Sequence, residues 1–334
     1  MTGAIAVGIV TYQSAADIRR CLDSTRAQSV TPREVVVWDN ASADGSADLA
    51  RAAGARVIPA DRNLGFAAAA NELVRRTTAP YLLLLNPDAY LAPDYLERLL
   101  GVAESDPRIG SLTGKLLRPP ADDGPPVIDS TGHVLCRNRS ALNRGENEVD
   151  RGQYDAPGEV FGVCAAAALY RRAMLEDVRI GGEYFDSRFF AYLEDVDLDW
   201  RARLRGWKAF YVPSAVAFHE RGHKGKRRMK HAAVLRHSLK NPYLMMLKND
   251  RLADLLRDLP AIAVVEVLRV LDYAVTHPSA LRGYLDLLPL VRHALVSRHE
   301  IQRRRLVAPA AVRAWLQPYP YRRKLREALG GDSA

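Results

Sequence analysis

The sequence contains little cysteine: Cys21, Cys136 and Cys164 are the only three in 334 residues. Three widely spaced cysteines without a C-x-x-C pair argue against a disulfide framework and against a zinc site. The simplest expectation is therefore a protein of the reducing cytoplasm.

Long hydrophobic runs are also missing. The early apolar run A-I-A-V-G-I-V is short and rich in β-branched residues, with neither a basic leader nor a cleavage site. It predicts a first strand rather than a signal peptide. The most apolar later stretch, residues 261–275, carries Glu266, Arg269 and Asp272. It is too short and too charged for a membrane-spanning segment, so we expect no transmembrane helix.

The charge is unevenly distributed, although the overall composition (48% hydrophobic, 26% charged) is that of an ordinary globular protein. Residues 1–200 hold 21 Lys/Arg and 29 Asp/Glu, whereas residues 201–334 hold 27 and 10. Such a basic segment suggests membrane phospholipid, a diphosphate-linked acceptor or nucleic acid as its partner; a solvated basic helical surface is the alternative. Because aromatics are not interleaved with the basic residues and no reading motif is present, we expect no nucleic acid.

Strand-like and helix-like patterns alternate through the first 90 residues. The patterns predict strands at 5–10, 34–38, 56–59 and 81–85, and helices within 15–28, 46–53 and 66–76. This alternation predicts an α/β fold with a mostly parallel sheet and a ligand crevice at the carboxyl ends of its strands.

The rest of the chain divides into an irregular part and a helical part. Residues 118–154 are rich in Pro, Gly, Asp and Asn, which predicts a long excursion with an embedded hairpin. Beyond residue 222 the pattern becomes helical. We therefore predict a catalytic domain over 1–222 and a basic, mainly helical region over 223–334.

Polar residues follow three of the predicted strands, where they would face one crevice. They are Thr11 and Tyr12 after the first, Asp39 and Asn40 after the second, and Asn86 and Asp88 after the strand at 81–85. Tyr12 could stack on a nucleobase and Asp39 could accept a base N–H; a strand-end aromatic and an Asx turn are the alternatives.

Two acidic motifs could bind a metal ion or supply a general base. Asn86 and Asp88 in L-L-L-L-N-P-D-A could ligate Mg²⁺ or Mn²⁺, or merely form a turn. Glu194 and Asp195 open the helix of F-F-A-Y-L-E-D-V-D-L-D-W-R-A-R-L-R-G-W, where a carboxylate stays ionised, as a base must, or simply caps the helix. His219, in the strand V-P-S-A-V-A-F-H, is either structural or a further metal ligand.

Taken in order, these segments resemble the inverting GT-A glycosyltransferases of family 2, and among them the rhamnosyltransferase-like branch. The resemblance spans about residues 5–222 and rests on five stretches: I-V-T-Y-Q-S, V-V-V-W-D-N-A-S-A-D-G-S, R-N-L-G-F-A-A-A-A-N, Y-L-L-L-L-N-P-D-A, and the acidic helix followed by His219. Asn86 replaces the first aspartate of the D-x-D motif of many members, as is usual in that branch.

The resemblance implies a role for each matching residue. It implies that Thr11, Tyr12, Asp39, Asn40, Asn63, Gly65, Asn86 and Asp88 bind the nucleotide sugar, that Asp88 and His219 bind the metal, that Asp195 is the general base, and that Glu194 and Trp200 face the acceptor.

The resemblance also favours dTDP-L-rhamnose as donor, with a saccharide or polyprenyl-diphosphate-linked acceptor; a hexosyl or galactofuranosyl donor carried on UDP or GDP is the alternative. The basic region could hold the enzyme against the inner face of the cell membrane. A sugar-nucleotide nucleotidyltransferase would need a Gly-rich, basic loop after the first strand, which T-Y-Q-S-A-A-D lacks. A non-catalytic binding protein is the remaining alternative.

Overall fold

The computed structural model describes residues 3–119, 124–221, 232–321 and residue 323, with side chains from residue 235 onward in the third range. The strands are β1 (Ile5–Thr11), β2 (Glu34–Asp39), β3 (Arg56–Pro59), β4 (Tyr81–Leu85), β5 (Ala89–Leu91), β6 (Ile109–Arg118), β7 (Val127–Ser130), β8 (His133–Leu135), β9 (Ala141–Asn143), β10 (Gly158–Val160), β11 (Ala167–Arg171) and β12 (Lys208–His219).

Helices cover both faces of the sheet and form the C-terminal part. They are α1 (Ile18–Arg26), α2 (Ser46–Ala52), α3 (Gly65–Arg76), α4 (Tyr95–Ser105), α5 (Arg172–Asp177), α6 (Glu194–Leu204), α7 (Ala232–Asn249), α8 (Leu252–Thr276), α9 (Gly283–Leu287), α10 (Val291–Arg303) and α11 (Pro309–Arg313). Short 3₁₀ turns lie at Ser187–Phe189, Pro278–Arg282 and Leu288–Leu290.

The central sheet has ten strands within the described residues, with the order β10-β12-β6-β11-β4-β1-β2-β3, β5 pairing with β12 and β7 with β6. Strands β3, β2, β1 and β4 are parallel neighbours, as the alternating pattern predicts. Strand β11 then enters antiparallel between β4 and β6. The sheet is therefore mixed, and β11 places its preceding residues beside the end of β4.

Apolar clusters lie on the two faces of this sheet. Ile5, Val7 and Ile9 of β1 pack with α1 and α4 on one face, while Ala6 and Leu82 pack with α3 on the other. Since both faces are covered, the central strands β1 and β4 are almost entirely apolar, and Thr11 at the end of β1 is polar.

The excursion at 118–154 contains the predicted hairpin, formed by β8 and β9. The predicted domain boundary at residue 222 lies outside the described residues and stays a prediction. The helices that follow share an apolar cluster with the catalytic part, in which Leu244 and Met245 pack with Phe161 and Trp200. None of the described helices is long and apolar enough to cross a bilayer.

A buried lysine connects α7 to this catalytic part. Lys248 is 2% exposed, and its Nζ donates to Asp186 at 2.7 Å and to Asp197 at 2.9 Å. Although burial acts in the opposite direction, Lys248 and His293 hold the pKa of Asp186 well below its ordinary value. The folded state therefore depends on this cation.

Lys248→Met should destabilise the fold by about 2–3 kcal/mol, because two buried carboxylates lose a shared cation, although His293 still pairs with Asp186 and Arg201 with Asp197. The measurement is urea unfolding followed by circular dichroism. Arg51→Met is the control, since it removes an exposed partner of Asp48 and should cost less than about 1 kcal/mol. Similar losses in both variants would contradict the assignment.

The Asp186 carboxylate makes the stability of the protein depend on pH in the acid range. A pKa lowered by folding stabilises the protein above the unfolded value, near 4, and this contribution is lost as the pH falls below it. The stability of the wild-type protein should therefore drop below about pH 4 more steeply than that of Lys248→Met. Equal slopes in pH-dependent urea unfolding would contradict this expectation.

Candidate active site

The ends of β1 and β2 place two buried polar residues side by side. Thr11 and Asp39 are partners in the β1–β2 register, and each is at most 3% exposed. Asp39 Oδ2 accepts from the backbone N–H of Ser42 at 3.2 Å, whereas Asp39 Oδ1 and Thr11 Oγ1 have no hydrogen-bond partner among the described residues. Buried polar atoms in this condition suit a ligand that supplies hydrogen bonds. The ring of Tyr12 is half-exposed beside them.

Asn40 and Asn63 shape the loop that leads into α3. Asn40 Oδ1 accepts from Trp38 Nε1 at 3.1 Å and from the N–H of Leu64 at 3.2 Å, and its Nδ2 donates to the carbonyl of Gly65. Asn63 Oδ1 accepts from the N–H of Gly65 at 2.8 Å. The side chains of both asparagines therefore hold backbone in place.

Gly65 is the point where this loop meets the segment before α6. Its φ is +80°, and a Cβ there would lie 2.5 Å from the carbonyl oxygen of Phe190. The same carbonyl accepts from the N–H of Ala67 at 3.1 Å. A side chain at this position is excluded both by backbone strain and by the close approach.

The second part of the site lies where β4 ends beside β12. Asp88 Oδ1 lies 3.3 Å from His219 Nε2, and the amide of Asn86 lies 3.5 Å from the same nitrogen. Asp129 Oδ2, from β7, lies 2.9 Å from His219 Nδ1. Burial opposes it, but Asp129 and Asp88 raise the pKa of His219 to about 10.

This second part of the site has the composition of a divalent-metal site. A carboxylate oxygen and an imidazole nitrogen converge, and a carboxylate on the far ring nitrogen orients the imidazole, as behind many metal-bound histidines. Asp129 is itself held by Arg118 at 3.3 Å and Arg221 at 2.5 Å. These two cations and His219 hold the pKa of Asp129 below its ordinary value despite burial.

The third part of the site is the start of α6. Asp195 Oδ2 accepts from the N–H of Ala165 at 3.2 Å and lies 3.6 Å from His133 Nε2. His133 Nδ1 lies 2.9 Å from Asp199 Oδ2. Against the effect of burial, Asp195 and Asp199 raise the pKa of His133 well above its ordinary value. A buried histidine therefore lies behind Asp195.

Glu194 is more deeply buried than its neighbour Asp195. It is 5% exposed, and its Oε2 has no hydrogen-bond partner among the described residues. Burial and the adjacent Asp195 raise the pKa of Glu194 well above its ordinary value. Of the two acids, Asp195 is the more exposed, with 15% of its side chain accessible.

The short segment before β11 connects Asp195 to the group formed by Asn86, Asp88 and His219. The N–H of Asn86 donates to the carbonyl of Ala166 at 2.9 Å, and the N–H of Ala165 donates to Asp195. Asn86 and Asp195 thus bond to adjacent residues, Ala166 and Ala165, which lie just before β11.

The loop before α6 has unusual backbone angles and is held by α7. Phe190, Tyr192 and Leu193 have φ of 64°, 72° and 68°. Asn241 Nδ2 donates to the carbonyls of Phe189, Ala191 and Tyr192 at 2.7–3.0 Å. These hydrogen bonds fix backbone that non-glycine residues rarely adopt. The C-terminal region, in which sequence reasoning found no transferable chemistry, therefore supports the position of Asp195.

Comparison with known proteins now gives the family. The model of Glycosyl transferase family 2 matches residues 6–179, just over half of the chain. The chain belongs to this family. It is 30% identical over 252 residues to N-acetylglucosaminyl-diphospho-decaprenol L-rhamnosyltransferase of Mycobacterium tuberculosis, which covers 68% of this chain and 79% of that protein. It is also 28% identical to the putative glycosyltransferase EpsH of Bacillus subtilis, over 57% of this chain and 55% of that one.

Solved structures confirm the predicted GT-A fold. The mannosyltransferase PcManGT of Pyrobaculum calidifontis, solved with GDP-Man and Mn²⁺, has a TM-score of 0.53 at 18% identity and covers 94% of this chain and 87% of its own. The TarS fragment 1–349 of Staphylococcus aureus, solved with UDP-GlcNAc, has a TM-score of 0.53 at 17% identity, covering 91% and 90%. The protein is a glycosyltransferase with a C-terminal helical region.

A second group of possible metal ligands lies in this glycosyltransferase, against the expectation from cysteine spacing. His133, Cys164 and Asp195 each offer one ligand atom within 4.8 Å of the others. A thiolate is a soft ligand, whereas Mg²⁺ and Mn²⁺ favour oxygen. The carboxylate-bearing group at Asp88 and His219 therefore fits these ions better.

Trp200 occupies a different environment from the one its predicted role implies. The ring is 2% exposed and packs edge-on against Phe161, at 6.4 Å between centroids. In this position it packs α6 against the C-terminal helices and is not on the surface of the site.

Sequence reasoning missed three residues that orient the site: Asp129, His133 and Asn241. The first two lie in I-D-S-T-G-H within the excursion at 118–154, where a carboxylate and an imidazole in an otherwise irregular segment were the available signal. Asn241 belongs to the K-N-P-Y segment of α7, whose pattern showed only a helix.

Gly65→Ala should disrupt the site of this glycosyltransferase as well as its stability. The new Cβ would collide with the backbone of Phe190, so we expect donor binding at least tenfold weaker by calorimetry, in addition to lower stability. Gly54→Ala is the matched control: its φ is +70°, but the Cβ meets only the end of the Arg26 side chain. It should cost about 1 kcal/mol of stability and leave donor binding unchanged. Unimpaired binding in Gly65→Ala would contradict the assignment.

Proposed function

We propose that the enzyme transfers a sugar, with inversion, from a nucleoside diphosphate to a hydroxyl of a saccharide carried on a polyprenyl diphosphate. The observation that carries the proposal is that two motifs meet at adjacent residues. Asn86, beside the Asp88–His219 pair, bonds to Ala166, and Asp195 bonds to Ala165. The first motif suits the diphosphate that leaves, and the second suits the hydroxyl that attacks.

The donor that we favour is dTDP-L-rhamnose, and the acceptor a lipid-linked N-acetylglucosamine. The mycobacterial relative supports both, since its name specifies rhamnosyl transfer to N-acetylglucosaminyl-diphospho-decaprenol. A hexosyl or galactofuranosyl donor carried on UDP or GDP is the alternative, because the residues at the base-binding end do not distinguish these nucleotides.

The nucleotide would lie across the ends of β1 and β2. Asp39 Oδ1 and Thr11 Oγ1 supply buried acceptor and hydroxyl groups, and Tyr12 supplies an accessible ring for stacking on the base. Asn40, Asn63 and Gly65 hold the neighbouring backbone, so we propose that they act by positioning.

Asp88 and His219 would hold Mg²⁺ or Mn²⁺, with Asn86 beside them. Such an ion would neutralise the negative charge that develops on the departing diphosphate. Asp129 keeps His219 Nδ1 engaged, so that Nε2 faces Asp88.

Asp195 would accept the proton of the attacking hydroxyl. The acceptor oxygen then forms a bond to the anomeric carbon as the bond from that carbon to the diphosphate oxygen breaks; attack opposite the leaving group inverts the configuration. His133, held by Asp199, fixes the carboxylate from behind, and Ala165 N–H fixes it from the side. Glu194, beside Asp195, would orient the acceptor.

We further propose that the enzyme works in the cytoplasm at the inner face of the cell membrane, where a polyprenyl-linked acceptor is accessible. The excess of 27 basic over 10 acidic residues from 201 onward supports an anionic surface as partner. Removing the whole C-terminal region would not test this proposal, because Lys248 and Asn241 of α7 are part of the fold and of the loop that carries Asp195.

Asp195→Asn should lower kcat by about 10²–10⁴-fold, because the amide retains the shape and the hydrogen bond from Ala165 but cannot accept a proton. Calorimetric affinity for the nucleoside diphosphate should stay within about twofold. Glu194→Gln is the matched control; it mimics a neutral acid and should retain kcat within a few fold. Wild-type turnover in Asp195→Asn, measured with radiolabelled donor, would contradict the role of this residue.

Nucleoside diphosphate binding should depend on Mn²⁺ or Mg²⁺ through Asp88. Calorimetric titration with dTDP, UDP and GDP should show metal-dependent binding of at least one, lost in Asp88→Ala. Asp129→Asn should weaken Mn²⁺ affinity by about 10–100-fold, because His219 loses its orienting carboxylate.

The control for Asp129→Asn is Glu146→Gln. Glu146 also pairs with Arg221, at 2.6 Å, but has no contact with His219 among those that the structure shows. The Glu146→Gln variant should therefore bind Mn²⁺ as the wild-type protein does. Metal-independent binding of every nucleotide would contradict the metal assignment.

A further inference from the structure

Helix α8 has its polar side turned toward the protein. Asp258 lies 2.8 Å from Arg139 and 2.8 Å from Arg313, and Asp254 lies 3.2 Å from Arg313. Eight residues after Asp258, Glu266 accepts from the hydroxyl of Tyr284 and from Arg269. Glu266 and Arg269 are two of the charged residues in the apolar stretch at 261–275. They pair with each other on the inner side of the helix.

The outer side of α8 is mostly apolar, although Arg257 and Asp272 are also exposed. The exposed fractions of Leu256, Leu259, Val264, Val267, Leu271 and Val275 range from 50 to 85%. A helix of 25 residues extends about 37 Å. On a protein surface in contact only with water, the polar side of a helix faces outward. The reversed orientation of α8 therefore marks a surface that an apolar phase covers.

Exposed apolar and basic residues continue beyond α8. Leu285 and Leu288 are 65 and 66% exposed, and Val296 of α10 is 64% exposed. Arg282 and Arg292 are exposed in the same stretch of chain.

The charge of this region favours a lipid surface over a second copy of the chain. Residues 201–334 carry 27 basic and 10 acidic residues, so two such regions would repel each other, whereas anionic headgroups attract them. Exposed leucine and valine with nearby arginine is the composition of helices that lie in the plane of a bilayer interface.

We propose that α8 lies in the interface of an anionic phospholipid bilayer, with Leu256, Val267 and Leu271 in the acyl region. The inference deepens the proposed function, since it names the surface that would bring the site to a lipid-linked acceptor. The binding itself is a property of this face and does not depend on which sugar is transferred.

The test is co-sedimentation of the full chain with phosphatidylcholine vesicles containing 0 or about 30% phosphatidylglycerol. The wild-type protein should bind the anionic vesicles and retain binding in about 0.5 M NaCl, because apolar insertion is not screened by salt. The variant Leu256→Gln/Val267→Gln/Leu271→Gln keeps the charge unchanged and should partition at least tenfold less. Leu306→Gln, at a residue 72% exposed outside α8, is the control and should bind as the wild type does.

Equal vesicle binding by the triple variant and the wild type would overturn the proposal, as would the absence of wild-type binding. A concentration-dependent dimer in analytical ultracentrifugation, lost in the triple variant and without vesicle binding, would assign the face to a second copy instead and overturn it too. Sedimentation needs neither donor nor acceptor, so a failure of the proposed sugar transfer is recorded separately. Circular dichroism confirms that the triple variant is folded.

Discussion

Two backbone groups on neighbouring residues hold the site together. The N–H of Ala165 binds the Asp195 carboxylate, and the carbonyl of Ala166 accepts from the N–H of Asn86. This connection exists because β11 enters the sheet antiparallel, between β4 and β6, and so runs its preceding residues past the end of β4. One rigid support thereby holds both the start of α6 and the group formed by Asn86, Asp88 and His219.

The excursion between β6 and β10 adds the groups that orient both halves. Asp129 of β7 holds His219, while His133 of β8 stands behind Asp195 and is itself held by Asp199. Both are histidine–carboxylate pairs, but they differ in what the second ring nitrogen faces. At His219 it faces Asp88 on the open side of the site, and at His133 it faces the carboxylate proposed as base. A segment that looks irregular in sequence is thus the shared scaffold of the site.

The sequence predicted those features that depend on local pattern. The strands at 56–59 and 81–85 lie where the apolar runs placed them, and the three polar strand ends meet at one edge because parallel strands end together. The pairing of Asp129 with His219, across 90 residues, could not be predicted, because nothing in either segment specifies its partner. Asn241 was missed for the same reason. Trp200 was misplaced because an aromatic next to an acidic motif can lie on either side of its helix.

Helix α8 shows the same limit for surfaces. Its charges were visible in the sequence and correctly excluded a membrane span, but their direction could be read only from their partners Arg139, Arg313 and Tyr284. The C-terminal region thus both braces the loop before α6, which carries the proposed base, and presents an apolar face.

The most direct test of this division of roles is anomalous diffraction from crystals grown with Mn²⁺ and a nucleoside diphosphate. We expect a manganese peak within about 2.0–2.3 Å of Asp88 Oδ1 and His219 Nε2, with the diphosphate bound to the ion and Asp195 free of metal. A peak instead among His133, Cys164 and Asp195 would contradict it, because the residue assigned as the base would then be a metal ligand.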